Sequence, residues 1–262
     1  MLTRRDKSAG IHGNLRQEFC WSLHLRVGPQ RDGYRQMTSM GIFGGTFDPI
    51  HYGHLRTAFE MLQALRYDEV RFMPCGNPPH RETPHADAAL RLEMVRLATE
   101  AQHGFVVDDR ELQREGPSYS VDTLLALRTE FPLRPIGLII GMDTFLSLPK
   151  WYHWQEILQL AHIIVAHRPG WRAPDMGPLG ELLADRGTHR IGDLHQAKAG
   201  HIFIHDVTQL EISSSEIREL IAMGRDARFL LPDAVRGVIE KSGCYAGTAA
   251  EQSNLKVEWN SE

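Results

Sequence analysis

Six short apolar runs alternate along the chain with stretches of helical periodicity, and no other feature restricts the fold so strongly. The runs are "MGIFG" from Met40, "DEVRFMP" (68–74), "FVVDD" (105–109), "PIGLIIGMD" (135–143), "HIIVAHRP" (162–169) and "HIFIHDV" (201–207). After the first, Leu55, Ala58, Phe59, Leu62 and Leu65 recur at helical spacing, and further helices are expected over 86–101, 120–131, 213–224 and 232–243. Residues 170–199 are rich in Gly, Pro and charge and read as a variable loop with one short helix over 178–186. Strands joined through helices must cross over, so they run parallel, with right-handed connections. "PIGLIIG" offers no polar position to water, so that strand is buried on both faces. The expected class is α/β, a doubly wound parallel sheet in a single domain.

A chain of 262 residues with 42% hydrophobic content can bury a sizeable core. The domain is expected over 40–246, with a poorly ordered extension over 1–39 and a flexible tail over 247–262. Met37 and Met40 stand immediately before the first strand, so an upstream start codon is a candidate mis-assignment. A net charge of −4 argues against a duplex nucleic acid partner, and phosphate chemistry must be local. Cys20, Cys75 and Cys244 lack CxxC spacing, which points away from a disulfide framework or structural zinc and fits a reducing cytoplasm. No run approaches the ~18 apolar residues of a membrane span, so no membrane partner is expected.

The chemistry concentrates in "GIFGGTFDPIHYGHLR", Gly41 to Arg56. A glycine turn between a buried strand and a helix lets backbone N–H groups approach an anion, and the helix N-terminus adds partial positive charge. Gly44, Gly45, Thr46 and Phe47 form that turn, and Asp48 before Pro49 is available as a turn or cap acceptor. His51 and His54 fall on one helical face, with Gly53 keeping bulk out between them. A His-x-x-His zinc site would need further ligands and would leave the glycine turn unexplained, so phosphate contact is the stronger reading. A second segment, "ISSSEIR" (Ile212, Ser213, Ser214, Ser215 to Arg218), offers hydroxyls, helix-start amides and a guanidinium fork. Taken alone this segment reads better as an ordinary capping motif, and paired with the first segment it reads better as a phosphate contact. In "SYSVDT" (118–123) an N-cap would explain the serines as well as a ligand would.

"GGTFDPIHYGH" resembles the signature of the nucleotidylyltransferase superfamily, and "ISSSEIR" resembles its second signature with Ser215 in a threonine position. In chain order, "NPPHR" (77–81), "PSYSVDT" (117–123), "GMDTF" (141–145), "LPKW" (148–151), "AHRP" (166–169) and "RFLLPDAVRGVIEKSGCY" (228–245) resemble bacterial nicotinate-nucleotide adenylyltransferases. The resemblance spans about 40–246 and implies a Rossmann-like fold of nucleotidylyltransferase type. It also implies ATP and nicotinate mononucleotide as substrates, with Mg²⁺ accompanying ATP and no protein-held metal.

On that resemblance His51, His54 and Arg218 are the catalytic charge neutralisers. ATP is bound by Gly44, Gly45, Thr46, Phe47, Asp143 and the segment Ile212, Ser213, Ser214 and Ser215. Nicotinate mononucleotide falls to His80, Arg81, Ser120, Thr123 and Trp151, the last by stacking. Independently, Asp143 follows the buried strand at the edge where ligands of open α/β sheets gather. Trp154 and the strand-flanking His162, His167, His201 and His205 are expected to be structural. A monomer or weak homodimer is expected.

Three rivals are weighed against this reading. Another adenylyl- or cytidylyltransferase would share the H-x-G-H element, but "SYSVDT" and "LPKW" tell against it. Class I aminoacyl-tRNA synthetases add a K-M-S-K-S loop, and "KMSKS" is absent. A non-catalytic nucleotide-binding regulator would have less reason to keep His51, His54 and Arg218 together.

Overall fold

The computed structural model describes residues 38–77, 83–167 and 173–247. The six expected strands are β1 (Met40–Gly45), β2 (Glu69–Pro74), β3 (Phe105–Val107), β4 (Ile136–Gly141), β5 (His162–His167) and β6 (Ile202–Asp206). They pair in parallel throughout, in the order β3-β2-β1-β4-β5-β6. The order reverses between β1 and β4, and the crevice outside their carboxyl ends is where such sheets receive ligands.

Nine α-helices are described. They are α1 (Tyr52–Ala64), α2 (Ala88–Thr99), α3 (Ser120–Glu130), α4 (Met142–Ser147), α5 (Trp154–Leu160), α6 (Gly177–Arg186), α7 (Ile191–Gln196), α8 (Ser214–Ala222) and α9 (Asp233–Ser242). A 3₁₀ turn over Leu148–Lys150 follows α4. The pattern does not announce α4, α5 or α7, each of seven residues or fewer, because two turns are too short to establish a 3.6-residue period. The expected fourth strand also runs two residues too far, since Met142 and Asp143 open α4.

Strand alternation sorts the core into two layers. Ile136, Leu138 and Ile140 of β4 and Ile163 and Val165 of β5 meet Leu124 and Leu127 of α3, Phe145 of α4 and Ile157 of α5. Ile139 and Ile164, between them in register, face the other way with Ala58 and Met61 of α1, Met94 of α2, Ile217 of α8 and Val235 of α9. Burial of a residue this size stabilises by roughly 1.5–3 kcal/mol, so both helical layers are held firmly to the sheet. The first layer's α3 and α4 and the second layer's α1 and α8 supply the helix starts that meet at the crevice.

Candidate active site

β1 ends in the two motif glycines. A Cβ on Gly44 would meet nothing within 4 Å, whereas one on Gly45 would fall 2.9 Å from the Phe47 ring. Gly44 therefore presents bare backbone to open space. Phe47, in the left-handed region at φ 51°, turns its ring into the core against Phe43, Phe72 and His54. Only the backbone of Phe47 is left to meet a ligand.

His51 caps α1, its Nδ1 accepting the Gly53 amide at 3.1 Å. In the neutral ring that bond assigns the proton to Nε2, a donor suited to a phosphate oxygen. The His54 ring, one turn on, stacks on it with centroids 3.8 Å apart. A Cβ on Gly53 would lie 3.0 Å from the His51 ring and 3.4 Å from the Ile212 carbonyl oxygen, so glycine is what brings rings and segments this close.

The second segment joins the first by direct bonds. Ser213 caps α8 in a reciprocal box with Glu216. Ser214 donates its hydroxyl to the Pro49 carbonyl at 2.9 Å. Arg218 donates from Nη1 to the Asp48 carbonyl at 2.7 Å and from Nη2 to the Ser215 hydroxyl at 3.2 Å. The capping explanation thus accounts for Ser213 and leaves Ser214 and Arg218 bonded to the first motif, with the Ser215 hydroxyl on Arg218.

Asp48 departs from expectation. His51 takes the helix cap, and the Asp48 carboxylate faces inward, 4% exposed, accepting the amides of His85 (2.8 Å) and Ala86 (3.0 Å) and the Tyr245 hydroxyl (2.6 Å). Burial pushes this carboxyl up, but Tyr245, the two amides and the charge of Arg218 outweigh it and hold it below the usual carboxylate range. Beside it the buried Arg91 donates to the carbonyls of Thr46 and Cys75, each at 2.8 Å, and fixes the turn from behind.

The other wall is the start of α3. Its cap position is Tyr119, which makes no side-chain cap bond, so Ser120 stands as the first helical residue and the serines do not cap the helix. Thr123 is buried: its hydroxyl donates to Glu111 at 2.7 Å and accepts from Arg114 at 3.2 Å, and its amide donates to the Tyr119 carbonyl at 3.3 Å, so it braces the helix start from within. Burial pushes the Glu111 carboxyl up, against the opposing effects of Thr123 and Arg114. Trp151 follows the 3₁₀ turn and packs, half-buried, on the core beside Trp154. Its neighbour Tyr152 lies on Tyr119 with ring centroids 4.5 Å apart, so "LPKW" and "SYSVDT" meet. Asp143 is exposed in the first turn of α4, past the end of β4. His80 and Arg81 lie outside the described residues, as do Arg168 and Pro169 of "AHRP".

At the opposite edge of the sheet, His162 is fully buried, with Nε2 on the Ala197 carbonyl and Nδ1 accepting the His201 amide. Burial lowers its pKa to about 4, so it is a neutral structural residue.

The chain matches the cytidylyltransferase-like family over residues 42–220. A relative from Aeromonas hydrophila, named "Probable nicotinate-nucleotide adenylyltransferase", is 46% identical over 206 residues, which cover 79% of this chain and 96% of the relative. The chain belongs to the nicotinate-nucleotide adenylyltransferase family. A relative of the same name from Acidithiobacillus ferrooxidans is 49% identical over 205 residues, covering 78% of this chain and 94% of the relative. In fold the chain is similar to Plasmodium falciparum nicotinic acid mononucleotide adenylyltransferase complexed with NaAD, with a TM-score of 0.61 at 16% identity, covering 79% of this chain and 97% of that one.

Several residues that shape the site in this family member were given no role by the motif reading: Arg91, Glu111, Arg114 and Tyr152, and Tyr119 and Tyr245 within quoted strings. Glu111 and Arg114 stand in "DDRELQREG", where nothing in the pattern separates a buried carboxylate from a solvated one. Tyr245 closes the terminal string that carries the resemblance, which was its one signal.

Proposed function

We propose that the protein transfers the adenylyl group of ATP to nicotinate mononucleotide, releasing pyrophosphate and deamido-NAD in NAD biosynthesis. The observation that carries this reading is the direct bonding of the two phosphate-type segments, Arg218 to Asp48 and Ser214 to Pro49, beside the reversal point of the sheet. An oxygen of the mononucleotide's 5′-phosphate attacks the α-phosphorus of ATP in line. The new P–O bond forms as the bond to the bridging oxygen breaks, and pyrophosphate leaves with the electron pair. The nucleophile is already anionic near neutral pH, so catalysis rests on positioning and charge neutralisation without a general base.

In this reading the backbone of Gly44, Gly45, Thr46 and Phe47 and the start of α8 hold the phosphates. His51 donates from Nε2, and His54 and Arg218 meet the growing charge. Asp143 serves the ribose hydroxyls. The α3 start receives the mononucleotide through the backbone amides of Ser120 and Val121, with Thr123 bracing that turn from behind, Trp151 covers the pyridine ring, and His80 and Arg81 complete its phosphate site. The α3 start suits a carboxylate, which supports nicotinate over nicotinamide.

Among the described residues no three His, Cys, Asp or Glu side chains converge as a metal cage. Asp48 is taken up by its own partners, which leaves phosphate oxygens and water as the donors that suit Mg²⁺ arriving with ATP. When bound, the ion adds further neutralisation of the polyphosphate. Among the described residues no helix is long and apolar enough to cross a membrane. Neither Cys75 nor Cys244 is in a disulfide, which suits a reducing cytoplasmic setting. The catalytic unit is residues 40–246, acting without nucleic acid as a monomer or weak homodimer.

The reading is tested by incubating the protein with ATP, Mg²⁺ and nicotinate mononucleotide. One pyrophosphate should appear per dinucleotide formed, and none without the mononucleotide. Pyrophosphate release that ignores the mononucleotide, or that prefers CTP, would overturn it.

A further inference from the structure

Behind the motif turn lies a buried junction whose members come from four separated parts of the chain. The Asp48 carboxylate receives two backbone amides from residues 85 and 86 and the hydroxyl of Tyr245, 197 residues away. Arg218 stands on the other side, its Nη1 bonded to the Asp48 carbonyl at 2.7 Å and lying 3.9 Å from the Asp48 carboxylate. The guanidinium is thus within reach of an ion pair that it does not fully make.

A buried carboxylate draws in whatever donors surround it, because an unsatisfied lone pair in a low-dielectric setting is costly. Here the Tyr245 hydroxyl bonds Oδ1 at 2.6 Å and so fixes the rotation of the carboxylate, while Oδ2, the oxygen 3.9 Å from Arg218 Nη1, accepts the His85 amide at 2.8 Å. Without the hydroxyl, Oδ1 keeps only the Ala86 amide and the carboxylate is free to turn towards the guanidinium. The chain accepts a conformational cost to make it: Tyr245 adopts φ 68°, in the left-handed region that bulky residues avoid, one residue after Cys244 and two after Gly243 at φ 66°. Such a backbone persists where the surrounding contacts over-determine it, and the contacts here are the hydroxyl bond and the ring's packing on the core layer of α1, α2 and α9.

We propose that Tyr245 is a positioning residue of the adenylyl-transfer site: by satisfying the Asp48 carboxylate it keeps the Arg218 guanidinium available to substrate phosphate. Without the hydroxyl, Asp48 competes with the nucleotide for Arg218. The inference rests on the reading of Arg218 as a phosphate ligand.

The test is Tyr245→Phe, which removes one oxygen and keeps the ring. Turnover kcat is expected to fall by about 5- to 10-fold, the scale of a single coupled contact, with KM for nicotinate mononucleotide within about twofold. In an Arg218→Lys background the same change should lower kcat by less than about twofold, because the group it positions is gone. Asp48→Asn, which removes the competing charge, should likewise make the protein indifferent to Tyr245→Phe. Equal fold losses in the native and Arg218→Lys backgrounds, or unchanged kcat in Tyr245→Phe, would overturn the proposal. ATP affinity measured by calorimetry without turnover separates the two claims. If no adenylyl transfer occurs, the proposed function fails, while weaker ATP binding in Tyr245→Phe, absent in the Arg218→Lys background, still upholds the positioning role and equal affinity refutes it.

Discussion

Arg218, one turn into α8, donates to the carbonyl of Asp48, 170 residues earlier in the chain, at 2.7 Å, so one guanidinium joins the two phosphate-type segments. Its Nη2 donates to the Ser215 hydroxyl at 3.2 Å. Arg218→Ala is expected to lower kcat by about 10²-fold or more, as loss of a transition-state donor does, and Arg218→Lys to recover only part of it, since a point charge cannot reproduce the fork. Steady-state kinetics alongside circular dichroism checks this; loss of activity explained by unfolding would not count in its favour.

His51 has two functions that substitution can separate. Its Nδ1 caps α1, and loss of a cap costs about 1 kcal/mol. His51→Ala should therefore lose both stability and turnover, while His51→Asn, which retains a capping side chain, should unfold near the native temperature and still lose about 10² in kcat. His54→Ala is expected to show a similar kinetic loss. Near-native turnover in either His51→Asn or His54→Ala would remove the histidines from the chemistry.

The pyridine side should respond in KM for the mononucleotide. Trp151→Ala exposes core as well as removing a ring face, so Trp151→Leu is the better probe. KM for nicotinate mononucleotide should rise several-fold, about 1 kcal/mol of lost stacking, with KM for ATP unchanged. Thr123→Val removes one donor from the buried Glu111 carboxyl. A stability loss of about 1–3 kcal/mol is expected by chemical denaturation, with the same selective effect on the mononucleotide.

His162 makes stability depend on pH. Its pKa is about 4 in the folded protein against 6.5 in the unfolded chain, so the unfolded state binds more protons between those values. The contribution is fully present above about pH 6.5 and is lost progressively as pH falls towards 4, to a total on the order of 3 kcal/mol. Unfolding free energies across this window should fall less steeply in His162→Gln than in the native protein. Parallel curves would contradict the assignment.

All six strands, and the six helices with a clear apolar face, were legible because each strand is a short apolar run, with β4 and β5 buried on both faces, and each such helix carries one apolar face. The motif residues were legible because glycine, histidine and arginine in that spacing serve few other purposes. The partners behind them were not. Arg91 occupies a helix position whose neighbours alternate polar and apolar, and its burial is decided by carbonyls of residues 46 and 75 that only the fold brings near. Asp48 looked like a local cap because its strongest claimant, Tyr245, lies at the far end of the chain. Trp151 and Ser120 were placed together through resemblance, and the physical link, Tyr152 on Tyr119, depends on a short 3₁₀ turn with no periodic signature.

The most direct test of the account compares kcat/KM for nicotinate and nicotinamide mononucleotides with saturating ATP and Mg²⁺. An α3 start that receives the carboxylate through backbone amides predicts a preference for nicotinate of about tenfold or more, with deamido-NAD as the product identified by mass. Equal use of the two, or turnover of neither, would contradict it.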